Sequence, residues 1–307
     1  MKFILPTGYF AITLGVSALS LAWRHAESIT PYAPQVSFVL GSVAFVLWLL
    51  FISLFIIRCF KHFDTIKEEY NCPIRFSFFA LIPITAMLMG DILLAWSSIL
   101  GETLIWLGAI GQLLYALIRI GALWQGNIFT DTAALPPFYL PTVATNFTAA
   151  TSLTLIGHNE LAIFFLGAGF IAWFMFEPIL LQRLRLNETP VPLRASFGII
   201  LAPAFVGSAA YLVVTGGQVD LVVKMLWGYG FLQLAFLLRL FGWIAVKGFN
   251  VGFWSFSFGL ASMANGATYL YQTPELSTFG LVAFIIANMA IAFLMIKTSA
   301  KWLRKEF

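Results

Sequence analysis

The chain has 307 residues, of which 61% are hydrophobic and only 10% are charged. Soluble domains carry about 25% charged residues, so this composition excludes a soluble fold. The formal charge of +4 is too small to indicate a nucleic-acid-binding surface. Repeated apolar runs of about 20 residues, each long enough to cross a hydrocarbon core of roughly 30 Å, predict an all-α membrane protein.

Ten spans are predicted along the chain, and the links between them leave no room for a sizeable domain outside the membrane. We therefore expect residues 1–307 to form one transmembrane domain. The first apolar run starts directly after Lys2; we interpret it as a retained helix, with a cleaved signal peptide as the alternative. The predicted spans cover about 4–23, 35–57, 76–96, 102–124, 138–156, 160–181, 195–214, 220–245, 252–271 and 276–296.

Lysine and arginine lie almost entirely on one side of this arrangement. Fifteen of the 17 fall at the two termini, including Lys2 and Lys305, or near the links after even-numbered spans, and only Arg24 and Lys224 fall on the other side. Because cytoplasmic loops are enriched in these bases, an even number of spans with both termini in the cytoplasm is predicted. The two cysteines then lie in a reducing compartment and are expected to be free thiols.

A repeat of about 60 residues divides the chain into five helical hairpins. Each even span ends in two or three aliphatic or polar residues followed by one base. These bases are Arg58, Arg119, Arg183, Arg239 and Lys297. The hairpins cover about 1–60, 76–124, 138–185, 195–246 and 252–307.

Four odd-numbered spans share an internal proline, namely Pro6, Pro83, Pro141 and Pro203. A proline in a membrane helix frees a carbonyl that lipid cannot satisfy. The repeated prolines therefore indicate that odd helices face protein or water, although simple kinking would leave the same pattern. The ninth span has no proline and carries the segment from Phe256 to Gly259 instead.

The ninth span has one face of small and polar residues. At 100° per residue, one stripe contains Gly252, Ser255, Gly259, Ser262 and Gly266, with Asn265 beside it. Such a face suits either close helix packing or a narrow water path. Phe256 and Phe258 lie about 200° apart on this helix, and the polar residues lean toward Phe258. We predict that the ring of Phe258 projects into the path.

Hydroxyl residues at helical spacing occupy one side of spans one and five as well. These residues are Thr13, Ser17 and Ser20 in span one, and Thr145, Thr148 and Ser152 in span five. Together with the repeat, they predict an inner ring of odd helices around a central pore and an outer ring of even helices. The candidate pore-lining residues are Pro6, Gly15, Ser17, Pro83, Pro141, Thr145, Pro203, Phe256, Gly259 and Ser262.

No nucleotide loop, metal-spaced cluster or nucleophile with a base is present in the sequence, so neither catalysis nor a cofactor is expected. Asp91 and Glu177 lie within apolar runs, where a charge at the bilayer centre costs roughly 2.5–3.5 kcal/mol. For Asp91, a structural hydrogen bond or ion pair, an effect on ion passage and a proton-coupling site are the alternatives. For Glu177 a structural role is favoured. A path with hydroxyls, one ring and no base is typical of a pore with a hydrophobic constriction.

Seven motifs carry a family resemblance over nearly the whole chain. They are LPTGYF (5–10), ALIPITAMLMGD (80–91), FYLPTVATNF (138–147), FEPILLQRLR (176–185), LAPAF (201–205), WGYGFLQL (227–234) and FWSFSFGLASMA (253–264). Together they resemble the family of bacterial TehA-type tellurite-resistance proteins. Its relatives include the slow anion channel of plant guard cells and the fungal malate and sulfite transporters.

The resemblance implies a homotrimer in the inner (cell) membrane, in which each subunit has five hairpins in quasi-fivefold order around its own pore. It also implies conduction of small inorganic anions, with Phe258 as the pore gate. Two hypotheses follow for the function. One is a passive anion channel of low selectivity, and the other is a carrier that exports tellurite, sulfite or C4-dicarboxylates, with proton coupling through Asp91.

Overall fold

The computed structural model describes residues 5–126 and 133–304, and these residues form helices and no strand. The predicted bases Lys2 and Lys305, and the predicted start of the first span at residue 4, lie outside the described residues. Within them, the α-helices are α1 (Phe10–Arg24), α2 (Ala33–Lys61), α3 (Phe63–Asn71), α4 (Leu81–Leu93), α5 (Ser98–Tyr115), α6 (Thr145–Leu155), α7 (Asn159–Leu186), α8 (Leu201–Val214), α9 (Leu221–Ile244), α10 (Ser257–Tyr271) and α11 (Ser277–Leu303).

Five of these helices, α1, α4, α6, α8 and α10, begin with a short segment of different helical geometry. We call these the lead-in segments. Four are 3₁₀ helices and one is a π-helix. The 3₁₀ segments are Thr7–Tyr9, Arg75–Ala80, Val191–Ile200 and Val251–Phe256, and the π-helical segment is Leu140–Ala144. The repeat in the sequence therefore has a structural counterpart, which extends to α10 although its segment lacks a proline.

The prolines lie at these changes of helix type rather than in the middle of regular α-helices. Pro6 precedes the first lead-in segment, and Pro141 is the second residue of the π-helical one. Pro83 and Pro203 are the third residues of α4 and α8. Because the 3₁₀ segments run directly into α4 and α8, Pro83 and Pro203 lie inside the continuous helices Arg75–Leu93 and Val191–Val214. The missing N–H of each proline removes one helical hydrogen bond close to the change of helix type.

Seven helices among the described residues are long and apolar enough to cross a membrane. They are Ala33–Lys61, Arg75–Leu93, Ser98–Gln125, Asn159–Leu186, Val191–Val214, Leu221–Ile244 and Pro274–Leu303. The chain is therefore a multi-span membrane protein. The first, fifth and ninth predicted spans differ from the expected 20-residue α-helix, because α1, α6 and α10 have only 15, 11 and 15 residues. The rest of each predicted span belongs largely to the lead-in segments.

The helices with lead-in segments contact one another in sequence. Helix α1 contacts α4, α4 contacts α6, α6 contacts α8, α8 contacts α10, and α10 contacts α1 again. Each also packs against the long helix that follows it in the chain. In the most apolar windows of Arg75–Leu93 and Val191–Val214, 72% and 78% of residues are buried, whereas the value for Ala33–Lys61 is 22%. The first group is therefore enclosed by protein, and helices such as α2 expose one side.

Glycines permit the closest of these helix contacts. A Cβ atom built on Gly280 would lie 2.5 Å from the backbone nitrogen of Tyr271 and 2.7 Å from the carbonyl oxygen of Ala267. Backbone atoms cannot move aside as a side chain can. Helices α10 and α11 therefore approach each other so closely only because residue 280 has no side chain.

The variant Gly280→Ala should be destabilised by roughly 1–3 kcal/mol, the usual cost of overpacking. Gly228→Ala is the matched control, because a Cβ atom at this α9 position meets nothing within 4 Å. Thermal unfolding of the purified variants in detergent measures the difference. Equal unfolding temperatures for the two variants would contradict the close approach of α10 and α11.

Cys59 and Cys72 are both free thiols, as the sequence predicted. Cys59 lies near the end of α2, and Cys72 directly follows α3. Both are partly exposed. Within the described residues, no group of His, Cys, Asp and Glu side chains could hold a metal ion.

Candidate functional site

The lead-in segments and the first turns of their helices surround a cavity of about 250 Å³, which we call the inner cavity. All five chain segments contribute to its wall. The lining includes Tyr9, Phe78, Leu140, Ile199, Trp254 and Phe258. Because these residues come from all five lead-in segments or the helices that follow them, the cavity lies where these segments meet.

Phe258 and Phe256 occupy different environments, although only one residue separates them. Phe258 is the second residue of α10, lines the inner cavity and is only 6% exposed. Phe256 ends the preceding lead-in segment, and its ring lies directly against Gly198 and stacks on Phe253 with 6.2 Å between ring centroids. Of these two rings, the one in the cavity wall is therefore Phe258.

Three polar side chains in the cavity wall bond to the backbone. Ser255 donates through Oγ to the carbonyl oxygen of Ala195 at 2.5 Å, and Ser196 donates to that of Leu193 at 2.6 Å. The side-chain oxygen of Asn250 accepts a hydrogen bond from the Gly252 N–H. No charged side chain is among the described residues that line the cavity. The wall is therefore neutral and offers an ion only weak interactions.

Two arginines lie beside residues of the cavity wall, and each has an acidic partner. Arg194, between the lining residues Leu193 and Ala195, pairs with Glu188 at 2.6 Å and stacks on Trp243 with 4.1 Å to the ring centroid. Its positive charge is thus compensated close to the cavity.

The second arginine, Arg58, belongs to a buried network that holds α3 against the first lead-in segment. Its Nη1 atom donates to Glu69 at 2.9 Å and to the carbonyl oxygen of Leu5 at 3.1 Å. The same Glu69 oxygen accepts from the hydroxyl of Thr7 at 3.1 Å and from its N–H at 3.5 Å. Thr7 lies between the lining residues Pro6 and Gly8. Sequence patterns did not indicate this network, because it joins Leu5 to Arg58 and Thr7 to Glu69 across 53 and 62 residues.

Three of the predicted pore-lining positions contact neighbouring helices. Gly15 lies against Ser257 of α10, and Gly259 lies against Leu201 of α8. The carbonyl of Pro83 lies close to Gly108 of α5. Gly266, which completes the predicted stripe of α10, lies against Trp227. These contacts agree with helix packing, one of the two alternatives considered for the stripe. Among the predicted lining residues, Pro6 lines the inner cavity.

The predicted hydroxyl stripes make hydrogen bonds within or between helices. Ser17 donates to the carbonyl oxygen of Thr13 at 2.5 Å, and Thr145 donates to that of Pro141 at 3.1 Å. Ser20 donates to the Ser37 carbonyl of α2 at 2.8 Å. The remaining predicted positions, Pro141, Pro203 and Ser262, are buried.

Asp91 is fully buried in α4 and connects this helix to α6. Its Oδ2 atom accepts a hydrogen bond from the Ser152 hydroxyl at 2.9 Å, and Oδ1 has no hydrogen-bond partner among the described residues. The guanidinium of Arg24 donates to the backbone carbonyl of Asp91 at 2.9 Å, not to its carboxylate. A buried carboxylate with one unused oxygen can hold a proton or a water molecule as well as a structural hydrogen bond.

Glu177 joins three parts of the fold. Its carboxylate accepts hydrogen bonds from the hydroxyl of Tyr139, from Trp173 Nε1 at 2.8 Å, from the Tyr229 hydroxyl at 2.5 Å and from Gln233 Nε2 at 3.3 Å. Tyr139 directly precedes the π-helical lead-in segment, and Tyr229 belongs to α9. These bonds agree with the structural role expected for Glu177.

Comparison with known proteins places these features in a family. The family profile described as SLAC1, voltage-dependent anion channel, matches residues 5–299. The chain is 52% identical to the tellurite resistance protein TehA homolog of Haemophilus influenzae, over 99% of this chain and 93% of that protein. It is 28% identical to the S-type anion channel SLAH1 of Arabidopsis thaliana, over 96% of this chain and 81% of that protein.

The guard cell S-type anion channel SLAC1 of Arabidopsis thaliana is 25% identical over 87% of this chain, and the match covers 49% of that protein. The family match spans nearly the entire chain and includes every segment that lines the inner cavity. The protein is thus a member of the SLAC1 and TehA family of anion channels and transporters.

Proposed function

We propose that the protein is a passive anion channel of low selectivity, closed at rest by the ring of Phe258. The observation that carries this proposal is the position of Phe258 in the wall of a neutral cavity where the five repeats meet. The closed circuit of contacts from α1 through α10 supports a path along the axis of the five hairpins. In this proposal the single domain crosses the membrane ten times in quasi-fivefold order.

The mechanism follows from the neutral wall and the aromatic ring. A constriction lined by apolar groups excludes water, so an ion would lose its hydration there without gaining a partner. Rotation or displacement of the Phe258 ring would let water and a small inorganic anion pass. Because the polar wall groups already bond to the backbone, the anion would bind weakly and leave easily.

The resemblance of the chain to TehA-type proteins supports a proposal for its oligomeric state and for the membrane in which it lies. We propose a homotrimer with one pore per subunit in the cell's inner membrane, with both termini in the cytoplasm. The distribution of lysine and arginine supports this orientation. Neither an enzymatic activity nor a nucleic-acid partner is part of the proposal.

Ion replacement in planar bilayers tests the function. Purified Phe258→Ala protein is reconstituted, and the reversal potential is recorded under a chloride gradient with a constant cation concentration. A current that reverses near the chloride equilibrium potential supports the anion channel. A reversal potential that stays near zero, as a cation pore would give at equal cation concentrations, or flux that saturates without any current, would contradict it.

Labelling of Cys72 provides a test of the orientation. Burial raises the pKa of this thiol, but hydrogen bonds from the Arg75 side chain and from the backbone N–H groups of Arg75 and Ile74, together with the charge of Arg75, outweigh that effect and lower the pKa overall. Since the thiolate is the reactive form, labelling should persist at a lower pH than for an ordinary cysteine. In the Cys59→Ser background, a membrane-impermeant maleimide should label Cys72 in inside-out vesicles and not in intact cells. The opposite result would reverse the proposed topology.

A second candidate function is a proton-coupled carrier, which the unused Oδ1 atom of the buried Asp91 favours. This carrier would export tellurite, sulfite or C4-dicarboxylates. If it exists, Asp91→Asn should abolish the pH dependence of substrate flux, because the amide cannot take up a proton. For the proposed channel we expect Asp91→Asn to leave the pH dependence of conductance unchanged, with Ser152→Ala as the control for the lost hydrogen bond. Liposome flux at two pH values distinguishes these outcomes.

A further inference from the structure

A second, larger cavity of about 540 Å³ lies at the opposite end of α1 from the inner cavity. It is bounded by the end of α1, the first half of α2 and the end of α4, and we call it the outer groove. Its lining includes Arg24, Glu27, Phe38, Ser42, Phe45 and Trp96. The proposed gate and the inner cavity do not include any of these residues.

One end of the outer groove carries a positive and a negative side chain. Arg24 is held against the last turn of α4, because its guanidinium donates to the carbonyl oxygens of Asp91 at 2.9 Å and Ile92 at 3.3 Å. A guanidinium has five N–H donors, so further donors are available. Glu27 is exposed. Among the described residues, neither Arg24 nor Glu27 takes part in an ion pair.

The rest of the groove is apolar and faces outward. Phe38 and Trp96 are 54% and 67% exposed and stack with 5.4 Å between their ring centroids. Phe45 and Val46 continue the wall along α2, so the wall from residue 38 to 46 is about 12 Å long at 1.5 Å per residue. This part of α2 belongs to the most apolar of the long helices, with a mean hydropathy of 2.7. An exposed apolar face on such a helix suits contact with lipid.

The polar side chains in the floor of the groove already have hydrogen-bond partners and do not need water. The hydroxyls of Ser20 and Ser37 each donate to the carbonyl oxygen of the other residue at 2.8 Å, so both are satisfied. Gly41 leaves the groove open between them, since a Cβ atom there would lie 3.0 Å from Ser20 Oγ. A ligand that fits must therefore combine a charged head with an apolar tail.

We propose that the outer groove binds a membrane phospholipid with a zwitterionic phosphoethanolamine head. Its phosphate contacts the guanidinium of Arg24, its ammonium contacts the carboxylate of Glu27, and one acyl chain lies along Phe38, Phe45 and Val46. Arginine matches a phosphate in both charge and geometry. The adjacent carboxylate favours a head with an ammonium over an anionic head. The proposal requires only that α2 faces lipid, and it does not depend on the gate.

Native mass spectrometry of the detergent-purified protein tests this proposal, with phosphatidylethanolamine and phosphatidylglycerol added as probes. Wild type should retain phosphatidylethanolamine preferentially. Glu27→Gln should remove the preference, because the ammonium loses its partner. Arg24→Gln should weaken the binding of both lipids about tenfold, because a lost hydrogen bond to a charged group costs free energy on that scale. Lys224→Gln is the matched control, since Lys224 is the other base predicted on this face and does not line the groove.

A variant that fills the groove provides a second, independent test of the lipid site. Ser42 is exposed and lines the groove, and its hydroxyl bonds only to the Phe38 carbonyl in its own helix. Ser42→Phe should therefore remove the bound lipid while the unfolding temperature stays near that of wild type. Unchanged lipid retention in Ser42→Phe, or equal losses in Lys224→Gln and Arg24→Gln, would overturn the proposal. A change of oligomeric mass without a change in lipid count would also overturn it, because a second copy of the chain would then occupy the groove.

Discussion

Phe258→Ala should raise the chloride conductance of the reconstituted protein about 10- to 100-fold over wild type. Burial of a phenylalanine side chain is worth roughly 1.5–3 kcal/mol, and each 1.4 kcal/mol corresponds to about a factor of ten in an equilibrium. If the buried ring closes the path, its removal shifts the balance between closed and open states by that amount. Single-channel or macroscopic currents in planar bilayers measure the effect. A series of Leu, Ala and Gly at position 258 should increase the current in that order.

Phe256→Ala is the matched control for the gate. The two variants lose the same ring, but that of Phe256 packs against Gly198 and Phe253 rather than lining the cavity. We expect a lower unfolding temperature for Phe256→Ala and no increase in current. Equal currents from the two variants would mean that loosened packing, and not the loss of a gate, opens the path. Low current from both would exclude Phe258 as the closing element.

The second large effect is expected at Glu69. In Glu69→Gln the buried Arg58 loses its negatively charged partner, and both side chains are at most 5% exposed in the ion pair. Removal of one partner of a buried pair costs roughly 3–5 kcal/mol. Thermal unfolding in detergent should therefore show a large decrease in stability, whereas Glu68→Gln, an exposed neighbour in α3, should behave as wild type.

The double variant Arg58→Met with Glu69→Leu separates charge from packing. Replacement of a buried ion pair by apolar side chains of similar volume is often neutral or stabilising, so the double variant should recover most of the lost stability. A double variant as unstable as Glu69→Gln would show that the hydrogen bonds to Leu5 and Thr7, and not the unpaired charge, account for the effect. Thr7 lies between two lining residues of the inner cavity, so the currents of the double variant should be recorded as well.

The sequence was sufficient for several features of this protein. Apolar runs identified a helical, multi-span membrane protein, and the family motifs identified the SLAC1 and TehA family. Both depend on local composition and order. The preference for Phe258 over Phe256 also came from a local argument, namely the side of the helix on which small polar residues lie. The structure places Phe258 in the cavity wall, although residue 256 turned out to belong to a 3₁₀ segment.

The same local argument was insufficient wherever the helix geometry changes. A stripe drawn at 100° per residue assumes a regular α-helix, but α10 begins only at Ser257, so the stripe does not hold for Gly252 and Ser255. Gly259 and Gly266 lie within α10 and face Leu201 and Trp227. A glycine that packs against a helix has the same sequence signature as one that faces water. The lead-in segment before α10 has no proline, so no single sequence feature marks all five of these segments.

Length, polarity, repeat and family were determined by the sequence itself, because each is a property of residues close together in the chain. Only the tertiary structure decided which side chains meet. Glu177 bonds to Tyr139 and Tyr229, which are 38 and 52 positions away in the chain. Glu69 bonds to Thr7, which is 62 positions away, and the inner cavity is lined by residues from both ends of the chain. Such contacts depend on how whole helices pack, and helix periodicity carries no information about the partner.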